Sequence, residues 1–209
     1  MYLRHDRNVL KTPLPYNVSQ TPGIASLTER DVRMKDGSTL QPDAIICCTG
    51  YRYVFPFLDE SVVTVNEDEI VSPLYKHLVH ITLPRLFFVG IPKKICPFPL
   101  FDCQIKLVVS LLSGRVSLPS EAAMFEDMRS EQAARLNEGM PARYAHTMGG
   151  KQWPYNDDLA DLGDFQQIPR VIQTLYEAVH VTRTSSLPTY KNKRYELIDE
   201  NDFKDISTS

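Results

Sequence analysis

The stretch Asp43-Ala44-Ile45-Ile46-Cys47-Cys48-Thr49-Gly50-Tyr51 decides the fold. Every residue from Ala44 to Cys48 is apolar. Continuous rather than alternating apolarity predicts a strand buried on both faces, the habit of a parallel sheet. The run stops at Gly50, where a glycine lets the backbone turn with positive φ or approach a ligand closely. In open α/β sheets the ligand crevice lies outside the carboxyl ends of the strands, so Thr49, Gly50 and Tyr51 are candidate site residues. The plain alternative is an ordinary strand-to-loop turn. Cys47 and Cys48, being adjacent, point to opposite faces and read as small buried apolar residues.

Working outward, residues 1–4 read as a short strand, followed by a polar, proline-bearing connection to about residue 20. Strands are expected over 24–28 and 31–34, with an Asp36-Gly37 turn after them. Beyond Tyr51 come a strand candidate at 62–65, an extended segment over 70–78, and a second fully apolar strand, Leu86-Phe87-Phe88-Val89-Gly90. Asp102 can cap a helix running to about Ser113, with Leu107, Val108, Leu111 and Leu112 as its apolar face and Gly114 past its end. Ser120 is an N-cap candidate for a helix from Glu121 to about Asn137, on which Met124, Phe125 and Met128 recur at helical spacing. Further helices are expected over 156–162 and over 169–180, the latter with Pro169 at its first position. The last 25 residues are polar and read as peripheral or frayed.

The whole chain has 209 residues, 43% apolar and 23% charged, enough to bury a core and unlike a disordered tail. A net charge of −3 and a pI near 6.0 give no electrostatic case for nucleic acid. No stretch of about 18 apolar residues is present, and the first residues carry no apolar leader core. Cys47, Cys48, Cys96 and Cys103 make no CxxC pair, which suits a reducing compartment. The chain contains no GxGxxG, no GxxxxGK[ST] and no GxSxG.

Of the remaining candidates, His77 and His80 form an HxxH pair without a third ligand nearby, so satisfied core or surface histidines are the better reading and no metal site is assigned. The second strand-then-helix feature runs from Leu86 to Gly90 and on to Phe101-Asp102-Cys103-Gln104. A helix start there would aim N–H groups and positive dipole at an anionic ring or phosphate. Gln104 carries one donor group and one acceptor, suited to a heterocycle edge, although a capping role is the blander alternative.

Together these motifs resemble those of the flavin-containing monooxygenases. Asp43 to Leu58 is similar to the family's "D-x-I-I-x-x-T-G-Y … F-P-F-L" signature, and Leu74-Tyr75-Lys76-His77 to its "L-Y-K-H" segment. Pro84 to Gly90 resembles its "P-x-L-x-F-x-G" strand, and Phe101-Asp102-x-Gln104 with 114–119 its flavin-side helix and exit. Gln152, Tyr155, Leu159 and Ala160 fit a late "Q-x-x-Y-x-x-x-L-A" pattern, and the likeness covers roughly residues 14–165.

The resemblance implies an α/β fold, the C-terminal part of a flavoprotein with two dinucleotide-binding domains, its mostly parallel three-layer sheet and meander followed by a helical region. It implies the end of an NADPH-binding domain over 1–48, part of an FAD-binding domain with helices over 49–185, and a polar tail over 186–209. FAD and NADP(H) are the implied cofactors: NADPH reduces the flavin, which activates O2 for transfer of one oxygen atom to a small-molecule nitrogen or sulfur. Thr49, Gly50 and Tyr51 would line the crossover between domains, Gln104 would hydrogen-bond the flavin ring, and Asp102 would sit at the helix start beside it. No side chain is assigned a bond-making role. Because both glycine fingerprints are missing, a truncated chain that binds FAD poorly alone is expected. The implied enzyme is a monooxygenase of the N,N-dimethylaniline type, cytoplasmic, without a transmembrane segment, and compatible with a homo-oligomer. Two readings compete with it: a non-catalytic fragment or interaction module, and a disulfide reductase, which would want a CxxC pair.

Overall fold

The computed structural model describes residues 2–4, 11–48 and 50–207. The N-terminal residues hold only short strands. β1 (Tyr2–Arg4) pairs in parallel with β2 (Ser19–Thr21). β3 (Ile24–Leu27), β4 (Val32–Met34) and β5 (Thr39–Leu40) form an antiparallel meander. The Asp-Gly turn falls where the sequence puts it: Gly37 has φ +86°, and Asp36 Oδ1 accepts from the Ser38 backbone N–H (2.9 Å) and hydroxyl (2.7 Å). Val32 and Met34, two residues apart and therefore on one face, are the buried pair of this meander.

The strand expected over 44–48 does not form. The segment is irregular, Ile46 is 83% exposed, and Cys47 and Cys48 are exposed free thiols. A strand buried on both faces must exchange hydrogen bonds with neighbours, and no described strand pairs with this one. Apolarity sets what a segment would gain from burial; it does not create the partner. For the same reason the mostly parallel sheet is not formed. Among the described residues β1–β2 is the sole parallel strand pair, beside one isolated parallel bridge between Lys93 and Thr147, and the remaining sheets are small and antiparallel.

Past Gly50 the chain gathers a core. β6 (Thr64–Val65) pairs with β7 (Val71–Ser72), and β8 (Leu74–Tyr75) with β9 (Val79–His80). The expected strand over 86–90 shrinks to one bridge, Val79 to Phe87, flanked by hydrogen bonds from His80 N–H to the Leu86 carbonyl and from Phe88 N–H to the Leu78 carbonyl. Turns on both sides, closing at Gly90 with φ +92°, leave only three residues to pair.

α1 (Pro97–Leu112) begins five residues before the expected cap, with Cys96 at the N-cap position. Pro97 explains the early start, since its ring fixes a helical φ and its missing N–H is no loss in a first turn. Asp102 therefore lies inside the helix, where it pairs with Lys106 at 2.7 Å one turn on. α2 (Glu121–Asn137) starts as read, with Ser120 Oγ accepting from the Ala123 N–H. α3 (Gln152–Gly163) begins earlier than its apolar spacing indicates. It lies along α1, and Ser110 donates its hydroxyl to the Gly163 carbonyl at 2.7 Å. A Cβ at Gly163 would come within 2.4 Å of the Phe165 ring and 3.4 Å of Leu107 Cα, so the close approach requires glycine. The main core gathers Leu78, Val79, Leu100, Leu107, Met124 and Leu159, and a smaller one Val63, Val71, Leu74, Phe88 and Ile91.

α4 (Arg170–Ser185) has Pro169 at its N-cap rather than its first position and runs past His180. The tail is not wholly frayed. β10 (Tyr195–Leu197) and β11 (Phe203–Asp205) form a hairpin held by a Tyr195–Phe203 edge contact and a Lys193–Asp205 ion pair at 2.7 Å. The chain divides into two compact units, Tyr51–Ile168 and the described residues of Met1–Gly50 with Pro169–Ser209. Among the described residues no helix is long and apolar enough to cross a membrane.

Candidate functional site

The surroundings of the residues singled out in the sequence differ from one to the next. Thr49 lies outside the described residues. Gly50 is exposed with φ +93°, and a Cβ built on it would meet nothing within 4 Å, so its glycine serves the turn rather than a close approach. Tyr51 is 98% exposed. Asp102 lies on the exposed side of α1, held by Lys106.

Gln104 is different: it is fully buried. Its Oε1 accepts from the Gly90 N–H at 3.0 Å, and its Nε2 donates to Tyr155 Oη at 2.8 Å. The Tyr155 hydroxyl then donates to the Lys76 carbonyl at 2.8 Å. This relay ties the end of the 86–90 segment through α1 and α3 to the turn between β8 and β9. Burial pushes the Tyr155 phenol far above its ordinary range, so it stays a neutral donor. The carbonyl of Gln104 and one of its amine hydrogens are thus committed inside the protein.

The turn it reaches is the "L-Y-K-H" segment. Lys76 (φ +49°) and His77 (φ +51°) both occupy the left-handed region, which costs a non-glycine residue about 1–3 kcal/mol and persists only when the surroundings impose it. Here they do. Lys76 Nζ pairs with Asp127 of α2 at 2.9 Å and with Asp158 of α3 at 3.4 Å. Burial pulls the Lys76 ammonium down, and the two carboxylates more than offset it, so its pKa is raised.

His77 opens a second network. The Val71 N–H can only donate, so His146 Nε2 accepts from it at 2.9 Å and the His146 proton sits on Nδ1. That proton faces His77 Nδ1 at 2.9 Å, which leaves His77 Nε2–H to donate to Glu131 at 3.0 Å. Glu131 Oε1 also accepts from Arg135 Nε (2.9 Å) and Nη2 (2.7 Å), and Arg135 Nη1 donates to the Thr147 carbonyl. Burial pushes the Glu131 carboxyl up, but His77 and Arg135 overcome it and hold it at about 2. Burial, reinforced by His77, Lys93 and Arg135, lowers His146 to about 3.

The sequence reading missed this network. His77 was visible within its motif, whereas His146 stands 69 residues away with no local signal. Among the described residues no group of three or more His, Cys, Asp or Glu could hold a metal. Cys103 is a buried thiol whose pKa burial and Asp102 push up to about 11, the wrong direction for a nucleophile.

A flavin cradle would need glycine-loop N–H groups for the phosphates and open polar edges for the ring. Here the candidate ring partner is turned inward, Gly50 and Tyr51 face solvent, and the sequence has no glycine-rich phosphate motif. The residues present do not by themselves form a site for FAD or NADPH.

A family model described as flavin-binding monooxygenase-like matches residues 10–184. The Arabidopsis thaliana protein flavin-containing monooxygenase FMO GS-OX-like 7 is 40% identical over 164 residues, covering 77% of this chain and 35% of its own length. FMO GS-OX-like 2 of the same plant is 43% identical over 141 residues, covering 66% and 30%. The solved S-allyl-L-cysteine S-oxygenase from Allium sativum superposes with a TM-score of 0.76 at 36% identity, over 87% of this chain and 42% of that one. Tmm from Pelagibacter sp. strain HTCC7211 also reaches 0.76, over 97% and 46%, and at 20% identity the likeness is one of fold. The chain thus spans about a third of the length of these curated relatives.

Proposed function

We propose, from the premise that this chain belongs to the flavin-binding monooxygenase-like family, that it is part of a flavin-dependent monooxygenase using NADPH and O2 to oxygenate a small soft nucleophile. The observation that carries this reading is the family match across residues 10–184. Sulfur is the favoured target atom, because the S-allyl-L-cysteine S-oxygenase shares 36% identity over 87% of the chain. A nitrogen substrate of the N,N-dimethylaniline kind is the alternative within the same chemistry. Residues 1–48 are read as the end of an NADPH-binding domain, 49–185 as part of an FAD-binding domain with helices, and 186–209 as a polar tail, in a cytoplasmic protein.

The inward turn of Gln104 changes one assignment. Rather than meeting the flavin edge directly, it positions the Gly90 peptide through its 3.0 Å hydrogen bond, and Tyr155 in turn positions Gln104. Thr49, Gly50 and Tyr51 keep their proposed place beside the cofactors, and the full exposure of Tyr51 leaves its ring free for such a contact. Asp102 keeps a place on the outer side of α1.

A second reading applies to the 209 residues taken alone: a non-catalytic fragment or interaction module. The missing glycine loops and the inward Gln104 favour it. Incubating the purified chain with FAD, recording the flavin spectrum after desalting, and following NADPH oxidation on the same sample separates the two. The expected result is no retained flavin and no NADPH consumption by the chain alone. Retained flavin with NADPH consumption would show that these residues suffice and would overturn the dependence on further sequence.

A further inference from the structure

The seam between α1 and α3 holds a polar side chain that the surrounding protein does not satisfy. Asn156 is 2% exposed, and neither its Oδ1 nor its Nδ2 has a hydrogen-bond partner among the described residues. Every other buried polar side chain of the described residues is bonded. Asp127 Oδ2 is also buried and unpartnered, but that side chain is 33% exposed and its other oxygen holds Lys76. A primary amide brings two donors and two acceptor sites, and burying it dry forfeits all of them. Because Asn156 is already enclosed within Tyr51–Ile168, nothing that covers the outside of the chain would change this.

Its place on α3 fixes what it faces. Gln152, Asn156, Leu159 and Gly163 follow one another at spacings of four, three and four, a single buried stripe. Both ends of the stripe touch α1. Gln152 Oε1 accepts from the Cys96 N–H at 2.6 Å where α1 begins, and the Gly163 carbonyl accepts from the Ser110 hydroxyl at 2.7 Å. Asn156 therefore faces α1 between Cys96 and Ser110, where the buried side chains are Leu100, Cys103, Gln104 and Leu107. Gln104 spends its carbonyl on Gly90 and an amine hydrogen on Tyr155. The helices approach most closely at Gly163, where an added Cβ would lie 3.4 Å from Leu107 Cα. Toward the other end Gln152 crosses the seam at full length, whereas Asn156, one methylene shorter, reaches no protein group.

We infer that a buried water binds in this seam, held by the Asn156 amide and bridging it to α1. Water has the right chemistry, since it both gives and takes hydrogen bonds and so serves either atom of the amide. It also supplies the reach that the missing methylene lacks. An ion would find a neutral amide and uncharged neighbours, with nothing to balance its charge. The water braces the same two helices that the Gln104–Tyr155 bond joins, one residue along α3. The site is independent of the flavin reading and stands or falls without it.

The test is nuclear magnetic resonance on the isotope-labelled 209-residue chain. The Asn156 side-chain amide is identified as the pair of signals lost in Asn156→Leu. Its protons should show a dipolar cross-peak to water, with the sign of a molecule that stays longer than the protein takes to tumble. In a crystal structure the water should lie about 2.7–3.2 Å from Oδ1 or Nδ2 and equally close to a polar atom of residues 96–110. An amide without the cross-peak, or one bonded directly to a protein group, would overturn the site. Magnetic relaxation of the solvent deuterons counts long-lived waters, and Asn156→Leu should hold one fewer than the parent with its helical circular dichroism unchanged. An equal count would sink the inference. Should that variant fail to fold, Asn156→Gln restores the missing methylene in a side chain that stays polar. It should lose the same water, and an undiminished count in this variant would overturn the proposal as well.

Discussion

The segments 44–48 and 86–89 are both wholly apolar, and a glycine in the left-handed region follows each within two residues, Gly50 at φ +93° and Gly90 at φ +92°. Their fates differ. Residues 86–89 lie beside β9, which takes the Phe87 bridge, and they deliver Phe88 into the smaller core with Val63, Val71 and Leu74. Residues 44–48 meet no described strand and leave Ile46 in solvent. An apolar run is a demand for burial, and whether it is met depends on which neighbours the rest of the chain provides.

The largest test of this contrast is to empty its filled side. Phe88→Ala should cost about 3–5 kcal/mol, read by urea denaturation with Trp153, the single tryptophan, as reporter within Tyr51–Ile168. Acid should loosen the same core next. His146 holds the Val71 N–H beside Phe88 and must stay neutral to do so. Its folded pKa of about 3 lies below the ordinary 6.5, so the unfolded chain binds a proton first and stability falls as pH drops from about 6.5 toward 3. Glu131, held at about 2, adds a loss below about pH 4.5 in the same direction. Urea midpoints should therefore fall between pH 7.5 and 4.5, and His146→Gln should flatten that slope.

A smaller effect is expected where the buried run ends. Gln104→Ala strips the Gly90 N–H of its acceptor and Tyr155 of a donor, for a loss of about 1–3 kcal/mol in the same denaturation assay. At the bottom of the scale, Ile46→Ser should change stability by less than about 0.5 kcal/mol in this chain, as expected for a side chain in solvent. The comparison sharpens if the nucleotide-binding portion is joined: the Ile46 substitution should then become costly, and an unchanged value would mean that 44–48 finds no partner there either.

Local rules account for much of what was legible. Ser120 before Glu121 announced α2, the Asp36-Gly37 pair announced its turn, and Gly114 with φ +73° stands just past α1. Features that depend on distant residues were not. The start of α1 was displaced because Asp102 looked like a cap while Pro97 set the first turn. The partner of the 44–48 run could not be inferred from the run itself. In the candidate site, Gln104 and Tyr155 both belong to the quoted motifs, but the bond between them spans 51 positions and no local pattern announces it. The hairpin of β10 and β11 depends on a cross-strand pair of rings that no helical or apolar periodicity announces.

The bonds from Gly90 through Gln104 and Tyr155 to Lys76 also have a sense of direction. A backbone N–H can only give a proton and a backbone carbonyl can only receive one, so the two ends of the relay are of opposite polarity. Rotating the Gln104 amide by half a turn would set two donors face to face at Gly90 and oblige the Tyr155 hydroxyl to abandon Lys76. The arrangement has one orientation and no mirror alternative. A glutamate at position 104 would match its shape but not its polarity at both ends. Ionised, it could accept from Gly90 and from the Tyr155 hydroxyl, but only by drawing that hydroxyl away from the Lys76 carbonyl, so one conservative-looking exchange would reverse the bond to Tyr155 and break the one to Lys76.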